Sequence, residues 1–472
     1  MIAPIRAGVL LLVATTAVAQ TPTTPKIPVR QLPAATATSS DSIGSVAAVR
    51  QLPNGNVLLN DQARRRVVLL DPAMKVIGVI ADSTSNTGNA YGVRPGGMIG
   101  YRGDSTLFID PAGLSMLVID PAGKIIRTMA APRANDVNFL IGGASGNPGF
   151  DTDGRLVYRT IDFGFGRGFR GAQNGQPFVP PTPPDSSALV RFDLATRKLD
   201  TVGFFKIPKN NVSMTQDANG RMSISVTMNP LPVIDDWAVM SDGTIAFVRG
   251  RDYHVDFVGK GGVKTSAEKI PYDWQRMNDD DKSRFLDSAK VAIERTRAAI
   301  AAGGPGATQA MQQGMDAMGF GGGGGGAPMM IMMGGPGGGG GGAAPPQRGG
   351  DAAGRGGEGA RGGPPGGGAA GPGGFQVPPV NMVPISELPD YKPVFGNGSV
   401  RADMDGRLWV RTIPTKPTPG GAIYDVIDGK GALVDRVQVP AGTTIAGFGK
   451  GGIVYLGLRD ASGIHVQRIV SK

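Results

Sequence analysis

The chain has 472 residues, a formal net charge of +10, no Cys and two His. Without Cys there is no disulfide and no lipid-bearing Cys, so the fold rests on core burial rather than covalent staples. Beyond the N-terminal segment, no apolar stretch is long enough to cross a bilayer; the densest, Met329 to Met333, is broken by Gly and Pro on both sides.

Residues 1–19 read as a secretory signal peptide. Arg6 precedes an apolar run from Ala7 to Val18. Ala17-Val18-Ala19 sets small residues where a signal peptidase reads, with Gln20 as the new N-terminus. The expected location is therefore outside the cytoplasm, in the periplasm or beyond the cell. Export removes nucleic acid from the partners that a charge of +10 suggests. Anionic envelope polymers, lipid headgroups and acidic glycans remain, as does the reading that the charge only keeps the chain soluble.

A short phrase then recurs: an apolar strand, a tight turn on Gly with Asn, Asp or Arg beside it, and a second apolar strand. It appears at Leu52–Leu59, Tyr101–Ile109, Asp151–Tyr158, Met240–Val248, Ala402–Val410 and Gly449–Leu456. Most copies are followed by a second strand pair with its own turn, at Arg66–Ile77, Ser115–Ile126, Leu189–Leu199, Val255–Val263 and Ile423–Val434. The turns use Asp, Gly, Pro and Lys because a tight reversal needs positive φ or a preset φ. Six units of four strands predict an all-β fold, a six-bladed β-propeller.

The sixth unit runs out of chain after the strand His465–Val470. A blade lacking its outer strand exposes an unpaired edge. The segment Ile27–Leu32 is expected to supply that strand and close the ring.

Three insertions interrupt the repeat. Phe163–Ser187 is Gly/Pro-rich and reads as a surface loop, and Lys209–Asp236 contains an alternating stretch, Arg221–Met228, that suggests an extra hairpin. The largest opens with a helix capped by Asn278, its first turn acidic at Asp279, Asp280 and Asp281. Phe285, Ala289, Ala292, Ile293 and Ile300 share one face, which is expected to pack on the propeller wall rather than recruit a partner. Beyond Ala302 the composition cannot offset chain entropy, so disorder is expected. The domain plan is a signal peptide (1–19), an N-terminal segment with the closing strand (20–43) and blades one to four (44–272). An insertion follows (273–397; helix about 278–302, disordered Gly-rich tract about 303–374), then blades five and six (398–472).

The string Asp405-Gly406-Arg407-Leu408-Trp409-Val410 and the paired Asp-Pro-Ala turns at Asp71 and Asp120 resemble bacterial exported six-bladed propellers of the NHL-like kind. The resemblance covers most of the chain outside the insertions. It implies a fold and leaves the chemistry open, because propellers host binding, scaffolding and catalysis alike.

Candidate chemistry is sparse. A nucleophile–His–carboxylate engine needs a His beside both partners, and neither His254 nor His465 sits in a recognisable nucleophile motif. Asp151-Thr152-Asp153-Gly154 and Asp403-Met404-Asp405-Gly406 suggest calcium, but both run straight into apolar strands, so Asx-stabilised turns are expected instead. No residue set points to a metal or another cofactor. The Arg-Gly-Gly triplets at Arg348, Arg355 and Arg361 read as solvated linker. Met311, Met315 and Met318, with the Met329–Met333 cluster, read as an adhesive apolar patch rather than a copper site.

One pattern concerns arginine. Second strands of four blades end at Arg159, Arg249, Arg411 and Arg459, and the first blade carries Arg64, Arg65 and Arg66 in the equivalent loop. In register, these residues ring one mouth of the propeller and bind an anion by bidentate hydrogen bonds. The structural alternative is that each pairs with a local Asp. The functional reading is an exported binding or scaffold propeller whose partner is an anionic envelope polymer or a protein. The rival reading is a hydrolase or lyase using the axial pocket.

Overall fold

The computed structural model describes residues 27–83, 91–143, 146–160, 184–208, 211–216, 222–302, 380–415 and 418–471. The signal segment 1–19, most of the Phe163–Ser187 insertion and the Gly-rich tract 303–374 lie outside them.

The recurring hairpins are the inner two strands of six four-stranded blades. Blade one comprises Ala48–Gln51, Val57–Asp61, Arg66–Leu70 and Val76–Ala81. Blade two comprises Gly97–Gly100, Thr106–Asp110, Ser115–Ile119 and Ile125–Ala130. Blade three comprises Gly149–Phe150, Leu156–Thr160, Ser186–Phe192 and Leu199–Lys206. Blade four comprises Asp236–Val239, Ile245–Arg249, His254–Val258 and Lys264–Ser266. Blade five comprises Phe395–Ala402, Leu408–Thr412, Ile423–Ile427 and Leu433–Gln438. Blade six takes Thr443–Gly449, Ile453–Asp460 and Gly463–Val470 from the C-terminal end and Ala37–Thr38 from the N-terminal one.

Second strands are apolar on both faces because each lies between two neighbouring blades. In blade one, Val57 and Leu59 join the core shared with blade six, while Leu58 faces the core shared with blade two. The main core is therefore a set of six seams, one between each pair of neighbours. Gly55, Gly154, Gly243 and Gly406 occupy the same hairpin position at φ of 86°, 73°, 87° and 81°. The carboxylates of Asp151 and Asp403 each accept two backbone N–H groups across their turns, at 2.8–3.0 Å, forming the Asx-stabilised hairpins.

Ring closure differs in detail from the sequence expectation. Val29–Gln31 runs parallel to Leu433–Gln438 on the outer edge of blade five. The outer strand of blade six is instead Ala37–Thr38, antiparallel to Gly463–Val470. The chain crosses the rim of blade five before it turns inward to blade one, so the strand nearer the inward turn pairs with the last blade. Thr36 and Ser39 extend this ladder by donating to Arg468 and Val466 carbonyls at 2.8 and 2.9 Å.

The insertions build a satellite. Asn211–Gln216 and Met222–Met228 form the expected hairpin, and Val380–Met382 joins it as a parallel third strand. The helix Asp279–Ala302 is capped by Asn278, whose side-chain oxygen accepts from Asp281 N at 2.8 Å while Asp281 accepts from Asn278 N at 3.2 Å. Leu286, Ala289 and Ile293 are buried, and Leu286 packs with Leu231, Met277, Val383 and Leu388.

Candidate functional site

The inner strands surround a central cavity of about 460 Å³ lined, among the described residues, from five of the six blades and by Ile141, Gly142, Gly143, Asn147 and Pro148 ahead of the third. Among the described residues two guanidinium groups line it, Arg50 and Arg401. Strand register explains why they share a level. Arg50 pairs with Leu58 and Arg401 with Trp409, each one step before the last ladder pair of its hairpin, Gln51 with Val57 and Ala402 with Leu408. Blade six lies between these two blades, and its inner strand contributes Phe448 and Lys450 to the same lining.

Arg50 reaches from blade one to the hairpin of blade two. Its Nε donates to Thr106 Oγ1 at 2.9 Å, and Nη2 donates to the Ser105 and Asp104 carbonyls at 3.1 and 3.4 Å. The guanidinium passes over Gly100, where a Cβ would stand 2.6 Å from Nη1. All these acceptors are uncharged. Burial pulls the Arg50 guanidinium below its ordinary pKa, with the Asp104 charge opposing. Arg401 is lowered as well, first by burial and then by the neighbouring Arg411, against the pull of Tyr424 and Asp236.

Asp236 anchors this region. It opens the inner strand of blade four and is fully buried. Its oxygens accept from Trp237 N at 2.9 Å and from Val400 N at 3.0 Å, the latter tying blade five to blade four across the long insertion. Burial raises its carboxyl to about 7, with the backbone donors and Arg159 pulling the other way.

The four second-strand arginines occupy different surroundings. Arg159 is buried in the seam between blades three and four; its Nε donates to Ser187 at 3.1 Å and its guanidinium lies 5.6 Å from the Phe205 ring centre. Burial lowers it to about 10, with Asp236 opposing. Arg249 donates to Asp256 at 2.7 Å and Asp235 at 2.9 Å, and to the Phe204 carbonyl at 3.3 Å. Arg411 is half-buried opposite Tyr424, and Arg459 is exposed opposite Ile464. Arg159 and Arg411 each stand five residues after their turn glycine, Arg249 six, which turns Arg249 to the other side of its strand. None of the four is among the lining residues of the cavity. Arg159 and Arg411 nonetheless join its electrostatics through Asp236 and Arg401.

Both histidines sit in local networks on blade hairpins. His254 Nδ1 and Nε2 face Asp252 and Asp256 at 2.8 and 3.2 Å. His465 Nδ1 donates to the Ser39 carbonyl at 2.8 Å, and Nε2 lies 2.9 Å from Ser462 Oγ. Ser462 Oγ also donates to Asp460 at 2.6 Å, on an exposed turn.

Sequence reading missed Arg50 and Arg401, although a signal existed. Each follows Val and stands five residues before its turn glycine, Gly55 or Gly406. Gly149 and Ala238 hold the same offset before Gly154 and Gly243.

No family model matches the chain, and no curated protein matches its sequence. Among solved structures, the chain is similar to a calcium-binding protein, regucalcin, from Agrobacterium tumefaciens, at 11% identity over 94% of this chain and 98% of that one, with a TM-score of 0.36. A gluconolactonase from Xanthomonas campestris matches at 8% identity over 93% and 99%, TM-score 0.34. Virginiamycin B lyase from Staphylococcus aureus matches at 12% identity over 50% and 74%, TM-score 0.25.

Proposed function

We propose that the chain is an exported, NHL-like binding propeller that holds an anionic ligand in its central cavity between Arg50 and Arg401. The observation that carries this is the composition of the lining. It combines two guanidiniums and Lys450 with amides, backbone and apolar groups, while Asp104 is the one carboxylate among the described lining residues. Acid–base or metal-assisted hydrolysis in such a pocket needs convergent carboxylates or His; the lining favours recognition instead. An anion relieves the burial cost borne by both guanidiniums and accepts paired hydrogen bonds from planar donors. The cavity pair is favoured over Arg159, Arg249, Arg411 and Arg459 because those four stand on second strands, behind the inner wall. An envelope polymer with acidic groups would present one such group at the cavity mouth.

Calorimetric titration with phosphate, sulfate and citrate tests the reading. Arg50→Gln and Arg401→Gln should each weaken binding about tenfold, the worth of one charge-assisted pair. Wild-type affinity in both variants would remove the cavity from consideration.

A further inference from the structure

A second surface carries its own binding chemistry. Residues 274–277 and 390–392 bracket the helix and the Gly-rich tract of the long insertion and meet as a short antiparallel ribbon. Arg276 bridges Tyr391, with Met277 N donating to the Asp390 carbonyl at 2.8 Å and Lys392 N to the Gln275 carbonyl at 2.9 Å. This pattern makes Arg276 and Tyr391 a non-hydrogen-bonded pair, the kind whose side chains stand closest. Alternation puts Trp274 on the same face as Arg276. Met277 turns inward to the satellite core, and Asp390 is engaged on the helix side by Lys282 Nζ at 2.8 Å.

The outer face thus presents Trp274, Arg276 and Tyr391 in a row. Trp274 is 36% exposed and Tyr391 49%, whereas the other two tryptophans, Trp237 and Trp409, are 0% and 3% exposed. Trp274 is also held in place. It packs edge-on against Tyr272 at 5.4 Å, and Tyr272 packs edge-on against the buried Tyr253 at 5.8 Å while donating its hydroxyl to the Ile413 carbonyl at 2.9 Å. A large aromatic kept rigid and wet loses little entropy on contact, which is what a stacking platform requires. Among the described residues Arg276 takes part in no ion pair. Asp273 and Asp390 alternate to the opposite side of the ribbon, and Asp390, held below the ordinary carboxylate range first by Lys282, feels the Arg276 charge only as a smaller contribution.

We infer that this face is a binding site for an acidic polysaccharide. The aromatic side chains take the apolar C–H faces of neighbouring sugar rings, and Arg276 between them takes a ring carboxylate. Flat aromatic faces flanking a planar bidentate donor match alternating ring and carboxylate. The net charge of +10 draws such a polymer to the protein. This site is independent of the cavity and does not share its residues.

Tryptophan emission of the full chain reports the site, because Trp274 is the exposed fluorophore of three. Polygalacturonate should change the emission, and neutral dextran should bind at least about tenfold more weakly. Arg276→Gln, at an exposed position, and Tyr391→Ala should each weaken the polygalacturonate-induced emission change about tenfold. Unchanged affinity in Arg276→Gln and Tyr391→Ala overturns the inference. So does poly-glutamate binding as tightly as polygalacturonate with the same dependence on Tyr391, which would mark a peptide site.

Discussion

Burial of Asp236 should leave a signature in the pH dependence of stability. Its carboxyl is raised from the ordinary 3.8 to about 7, first by burial. The folded state therefore holds the proton more tightly than the unfolded chain. Stability from this group is fully present below 3.8 and is lost as pH rises through about 7. At about 1.4 kcal/mol per pH unit the loss is about 4 kcal/mol. Asp236→Asn removes the titration. It also places an amide N–H₂ against backbone donors to Asp236, Trp237 N or those of Val400 and Ser399, a mismatch costing about 1–3 kcal/mol. The variant should thus be less stable than wild type near about pH 4 and equal or more stable near about pH 8. Urea unfolding across this range, read as the difference between the two proteins, cancels every other titrating group. A difference that stays constant to within about 0.5 kcal/mol from about pH 4 to about pH 8 would refute the reasoning.

Other perturbations probe the ring and its charges. Deleting residues 27–43 strips the outer strand from blade six and an edge strand from blade five, so the melting temperature should drop sharply and the exposed edges should promote association, seen by calorimetry and light scattering. Gly243→Ala puts a Cβ 2.5 Å from Thr152 N in the neighbouring blade at φ +87°, and should cost about 2–4 kcal/mol in urea unfolding, whereas a loss below about 0.5 kcal/mol would show that the hairpins shift freely. Arg249→Ala should leave phosphate affinity unchanged because Asp235 and Asp256 already hold that guanidinium. Arg411→Ala, which removes a charge felt by Arg401, should weaken phosphate binding roughly two- to threefold, and equal effects of the two variants would count against the cavity site.

Local chemistry made the fold legible. A turn glycine at positive φ, an Asp that accepts two N–H groups across the turn, and strands apolar on both faces are properties of a few consecutive residues. They mark six hairpins and the helix cap at Asn278 without reference to any long-range contact. Arg159, Arg249, Arg411 and Arg459 were visible for the same reason, as repeated strand ends. Their surroundings were not, because one residue more after the turn glycine reverses the side to which Arg249 points.

Only the closed ring decides the rest. Arg50 and Arg401 meet one cavity because six blades return on themselves, and Ala37–Thr38 rather than Val29–Gln31 completes the last blade because of the path taken over the rim. Val380–Met382 finds its partner strand, and Tyr391 finds Arg276, from the far side of the Gly-rich tract. Arg50 and Arg401 share an offset from their turn glycines, but which groups become neighbours leaves no periodicity in the chain. Their contact energy depends on which surfaces the seams bring together, and seam packing is a property of blades in three dimensions, not of residues in order.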